Sequence, residues 1–181
     1  MKACTLTLLV LTLSSGAIGA PIRREVENGT VPDDLKPNSP EVPAGLAVNT
    51  VLQRIVVLRL KHRTDLLPGM QELIAEQRIR NAVILAGIGS TRGYHIHVVS
   101  NRTFPTSNVF VKDPEAPADI TTMSGYIIGG RIHAHVTLAD GERAFGGHLE
   151  PGTEVFTFAI VTLGILGDDV DLRRVDDKHY R

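Results

Sequence analysis

Apolar and polar residues alternate most cleanly between 131 and 150, where two runs of strand character flank Asp140-Gly141. Asp-Gly between alternating runs predicts a tight hairpin. With those two residues as the turn, Val136 faces Phe145, Ala134 faces Gly147 and Ile132 faces Leu149, which makes one apolar face. The other face sets Thr137 against Ala144, His135 against Gly146, His133 against His148 and Arg131 against Glu150. Register is the sensitive point. A three-residue loop shifts the pairing by one and moves His148 to the opposite face, whereas a four-residue loop centred on Asp140-Gly141 leaves it unchanged.

Elsewhere the pattern predicts a β-branched strand over 51–60. Thr64 or Asp65 caps a helix running to about Arg78, with Leu66, Leu67, Met70, Leu73 and Ile74 on its apolar side. Pro68 fits the first turn, where N–H groups lack helical partners anyway. Residues 82–86 read as a buried strand that ends in the glycine-rich stretch 87–93, and 94–99 as the next strand. A strand rather than a helix after the glycines argues against a dinucleotide-binding loop. Strands near 109–111 and 120–123, joined by a turn at 113–117, and a last strand over 154–164 complete the set. The class is α+β, a mainly antiparallel sheet of about seven strands with one main helix.

Composition divides the chain. Lys2 and the short apolar run 5–13 read as a secretory signal peptide over 1–20, too short to span a bilayer, which predicts a secreted or periplasmic protein. Residues 21–48 hold five of the ten prolines and read as a flexible stem. The folded domain is expected over 49–167, followed by a charged, exposed tail, 168–181, with a solvated His179. No later segment is long and apolar enough for a membrane helix. Asn28 and Asn101 begin sequons that would carry glycans in a eukaryotic host. The single cysteine, Cys4, lies in the leader, so a metal site must use histidines and carboxylates. A formal net charge of −1 gives no electrostatic case for nucleic-acid binding.

The chemistry gathers on the hairpin. Alternate strand residues share a face, opposed Cβ atoms lie ~4.5–5.5 Å apart, and His133, His135 and His148 thereby converge as metal ligands. Imidazole nitrogens bind zinc at ~2.0–2.1 Å, and three of them leave the fourth tetrahedral position open. Tyr94-His95-Ile96-His97-Val98 carries a second His-x-His. It reads either as the polar face of an ordinary strand or as further ligands or pocket lining. Arg131 and Glu150 read as a cross-strand ion pair or as pocket groups.

The order of these motifs resembles the plants-and-prokaryotes conserved (PPC) domain over roughly 51–166. The most specific part is His133-Ala134-His135 followed by Asp140-Gly141 and Gly146-Gly147-His148. In prokaryotic members this histidine set goes with a bound metal, usually zinc, and the domain forms trimers. The resemblance therefore implies Zn2+ or another divalent transition metal on those three residues, and a homotrimer. The chain lacks the AT-hook of plant members, so their DNA-binding role does not carry over. Ala159 stands where many relatives have a glutamate, whereas Asp119 matches an acidic position. The fold also resembles that of acetolactate decarboxylase, a zinc enzyme with three histidine ligands, an analogy that assigns no chemistry. Two functions follow as expectations. One is an exported metal protein that binds or transforms a small molecule, as a zinc-dependent lyase or hydrolase, with Arg131, Glu150, Asp119, His95 and His97 around the pocket. The other is a non-catalytic homotrimeric binding or assembly module with a structural or vestigial metal.

Overall fold

The computed structural model describes residues 23–28 and 32–181; the expected leader, 1–20, lies outside the described residues. Strands form where β-branched and aromatic residues alternate with polar ones, because such side chains fit a pleated, half-buried surface. They are β1 (Arg23–Asn28), β2 (Leu52–Lys61), β3 (Ala82–Val99), β4 (Ser107–Asp113), β5 (Ala118–Ile128), β6 (Arg131–Ala139), β7 (Ala144–Leu149) and β8 (Glu154–Leu166). The helix α1 (Leu66–Glu76) follows β2. Over the expected domain this is the α+β class with seven antiparallel strands and one helix. β1 is an eighth strand, paired antiparallel with β4, and it lies in the segment expected as a flexible, proline-rich stem.

α1 buries Leu66, Met70 and Ile74, spaced at i, i+4 and i+8, so one stripe faces the core. Asp65 occupies its N-cap position, and its Oδ2 accepts a hydrogen bond from Gly152 N at 2.7 Å. The helix start is thereby tied to the turn between β7 and β8.

One expectation is corrected. The glycine stretch 87–93 is not a connection between two strands but the middle of one, β3, which runs for 18 residues. Glycine permits this because the backbones approach closely: a Cβ on Gly89 would strike the Phe158 carbonyl and Ala159 Cα. The pairing with β8 slips at Ile84/Ala86, Gly89/Thr91 and Thr91/Gly93. Such bulges bend a strand. The first half of β3 lies between β5 and β8, and its second half between β4 and β7. β7 also pairs with β6, which pairs with β5, so β3, β5, β6 and β7 close into a ring. Leu149, Val136, Leu138, Ile127 and Ile96 point into the core, where Leu58, Leu60 and the α1 stripe meet them.

The tail is anchored rather than free. Leu172 is buried with Ile128 and Leu166, and the chain then crosses in front of β6. Its end meets the segment before β2. Lys178 Nζ and His179 Nε2 lie 2.6 and 3.0 Å from the buried Asp34 Oδ1, and Arg181 O accepts from Ser39 N at 2.8 Å. His179, expected to be solvated, is therefore an anchoring residue. Hydrogen bonds from Lys178 and, less strongly, from His179 hold the Asp34 carboxyl below its ordinary value. Among the described residues no helix is long and apolar enough to cross a membrane.

Candidate metal centre

The hairpin forms, but with a longer turn than Asp140-Gly141 alone suggests. β6 and β7 pair His135 with His148, Val136 with Gly147, Thr137 with Gly146 and Leu138 with Phe145. The loop is the four residues 140–143, closed by Asp140 N donating to Arg143 O at 3.1 Å. Asp140 Oδ1 accepts from Glu142 N and Arg143 N at 2.8 and 2.9 Å, and these bonds hold its carboxyl below the ordinary value. An aspartate that bonds backbone groups two and three residues on stabilises a wider turn than the two-residue form. Relative to the expected pairing, β7 slides by two residues. A slide of two preserves the face of every side chain. The histidines therefore remain together, although His148 now faces His135 instead of His133, and Gly146 faces Thr137 instead of His135.

Ring nitrogens of His133, His135 and His148 lie within 4.8 Å of one another. The rings of His133 and His148 are 4.9 Å apart between centroids, those of His135 and His148 5.4 Å, and those of His133 and His135 5.5 Å. Ala134, Val136 and Leu149 alternate with them and are buried, which fixes the direction in which the imidazoles project. Burial pushes the His148 imidazole down to about 4, with His97 and His133 adding repulsion. Burial also lowers His135, aided by His133 and His97. Both are neutral at pH 7, the form in which imidazole binds a metal.

His97 joins the cluster from β3. The ring closure pairs it with His148, and the two rings stack at 4.5 Å. Its Nδ1 donates to Glu150 Oε1 at 2.6 Å. Glu150 is thus a partner of His97; the ion pair expected between Arg131 and Glu150 is replaced. Arg131 turns instead toward the tail, with Nη2 4.0 Å from Asp176 Oδ2. His95 donates Nδ1 to Pro151 O at 2.8 Å and packs on Phe110, outside the three-histidine group. Asp119 pairs with Ser90 and Ala139, four residues along β6 from His135, and lines a separate cleft with Asp140. Ala159 is fully buried beside Gly89.

Sequence reasoning missed Asp176. His133 Nδ1 donates to its Oδ1, and the two side chains are 43% and 25% exposed. No periodicity announces this residue, because the contact joins an irregular tail to a strand 43 residues earlier. Two clefts meet at the histidines. One, of about 740 Å3, is roofed by the tail and lined by Arg131, His133, His148, Asp176, Lys178 and His179. The other, of about 420 Å3, opens over His97, Val99, His133, His135 and His148.

Known proteins share this architecture. A plant- and prokaryote-conserved protein of Pyrococcus horikoshii superposes with a TM-score of 0.57 at 22% identity, covering 75% of this chain and 94% of that one. A metal-containing protein of Archaeoglobus fulgidus gives 0.54 at 24% identity, over 67% of this chain and 86% of that one. A Bacteroides thetaiotaomicron protein offered as DNA-binding gives 0.52 at 14% identity, over 65% and 82%. At these identities the likeness is one of fold. Two curated Synechococcus proteins, each named bifunctional protein GlmU, are 25% and 26% identical over 121 and 111 residues. The chain spans only 18% and 16% of their lengths. The profile of the Plants and Prokaryotes Conserved (PCC) domain matches residues 49–167, more than half of the sequence, and the chain belongs to that family.

Proposed function

We propose that this protein holds one divalent transition metal, of the zinc type, on His133, His135 and His148, with one coordination position left open for a small molecule. The observation that carries the reading is the convergence of three imidazoles from two paired strands beside two clefts. The donor set fits the ion. Imidazole suits zinc, copper, iron and nickel, and three neutral nitrogens with an open position are the pattern of reactive rather than closed structural zinc. Asp176 accepts the Nδ1 proton of His133, which leaves Nε2 of that ring as the ligating atom. When bound, such an ion lowers the pKa of a water to ~7 or polarises a carbonyl.

The chain's own residues supply the surroundings. Arg131, beside Asp176 at the cleft, offers a cation to an anionic or carbonyl-bearing ligand. On this reading the activity is that of a zinc-dependent lyase or hydrolase, on a protein that residues 1–20 direct out of the cytoplasm. A second reading, a homotrimeric assembly module, draws on an exposed apolar sheet face described below. A role on DNA, the activity offered for the Bacteroides relative, gains no support from a net charge of −1.

Metal analysis of full-length protein produced with zinc tests the proposal. At least one tightly held ion per chain is expected, and the tightest binding step is lost in His133→Ala and His135→Ala variants whose circular dichroism matches wild type. Wild-type protein that carries no metal after exposure to zinc, cobalt and nickel overturns it.

A further inference from the structure

His97, His148 and Glu150 form another set of donor atoms within 4.8 Å of one another. Its members come from both sides of the ring closure. β3–β7 pairing puts His97 opposite His148, and Glu150 follows His148 by two residues, on the same side. His97 and Glu150 are each only 20% exposed, so their hydrogen bond is shielded from water. Phe110 packs its ring 4.8 Å from that of His97 and closes the outer side.

We propose that this group is a second divalent-metal position, adjacent to the first and sharing His148 with it. The proposal rests on the three-histidine reading only through that shared ligand. Two nitrogens and a carboxylate oxygen are a donor set that zinc, manganese and iron all accept. His97 Nδ1 donates to Glu150 Oε1 within this group. A cation replaces that single hydrogen bond with two coordinate bonds, and His97 keeps its proton on its other ring nitrogen. Sharing has a consequence. A neutral imidazole has one lone pair in its ring plane, so His148 serves both ions only by giving up its N–H proton to solvent. Otherwise the first ion keeps His148, and the second is held by His97, Glu150 and water. In both cases the positions fill in order, the three-histidine position first and the carboxylate position second.

The test is a titration of metal-free, full-length protein with Zn2+ against a chelator of known affinity, with bound metal counted by mass spectrometry. Wild type takes up two ions per chain in two steps. Glu150→Gln, which preserves side-chain shape, and His97→Ala each weaken the second step by roughly tenfold or more and leave the first intact. His133→Ala abolishes the first step and leaves an ion on His97, His148 and Glu150. Saturation of wild type at one ion, unaffected by Glu150→Gln, overturns the second position and leaves the three-histidine reading standing. Uptake of no ion at all overturns both.

Discussion

His133 and His148 divide the work at the centre of the cluster. His133 is oriented from outside, by the Asp176 carboxylate, and His148 is kept neutral from inside, by burial among other imidazoles. A carboxylate behind a ligating histidine fixes its tautomer and raises its basicity. Asp176→Asn keeps the shape and removes the charge, and should weaken metal binding by about 10–100-fold with the fold unchanged. Competition against a chelator measures this, and affinity equal to wild type would show that Asp176 is only a surface contact. His148 predicts a pH effect on the metal-free protein. Its native value, about 4, lies below the ~6.5 of an unfolded histidine. Between those values the unfolded chain binds a proton that the native site refuses, so stability falls as pH drops from about 6.5 toward 4. Above 6.5 the group contributes no slope. The stability difference between wild type and His148→Gln, followed by urea midpoints, should therefore shrink as pH falls through that window. A difference that stays constant would contradict it.

At the scale of elements, the hairpin turn sets the register of the whole cluster. Asp140→Ala removes the acceptor of two backbone hydrogen bonds in the loop. It should lower the thermal midpoint and weaken metal binding together, because β6 and β7 each carry proposed ligands that the loop aligns. Parallel melting curves and metal titrations check this, and a variant with unchanged binding would show that the ring closure alone holds the register. The face of each hairpin residue was legible in the sequence, because alternation encodes it directly. The two-residue slide was not, since it depends on how Asp140 bonds the loop. The glycines 87–93 looked like a connection because alternation breaks there; in the fold they mark where neighbouring backbones press against β3. His97 entered the cluster through ring closure, a long-range pairing that no local pattern reports. The tail and β1 escaped for a related reason: their contacts reach distant parts of the chain, and their charged or proline-rich composition resembles that of solvated segments.

At the scale of the whole molecule, a sheet face is left uncovered by the described residues. β2 pairs only with β8 among the described residues, and these two strands together with β3 present Ile55, Val57, Leu85, Ile88, Phe156 and Phe158 to solvent. Ile55 and Val57 are 61% and 63% exposed, in a strand whose other face buries Leu58 and Leu60. Arg59 lies over the Phe158 ring, with Cζ 5.4 Å from its centroid, but does not hide the rest. Contiguous apolar surface of this kind marks an interaction site more often than an idle surface. The homotrimer expected from the family resemblance supplies an occupant, since a second and third copy would bring the same apolar strands. A stable interface of standard size buries about 800 Å2 on each partner. Val57→Glu puts a charge at the centre of that face, where exposure in the single chain lets it be tolerated. Wild type should sediment as a trimer at micromolar concentration and Val57→Glu as a monomer of unchanged circular dichroism. The three histidines all belong to one chain, so the monomeric variant should still bind its first metal ion. Wild type that stays monomeric at tens of micromolar would remove the trimer and leave the metal centre untouched, whereas a monomeric variant that loses its metal would show that assembly shapes the site.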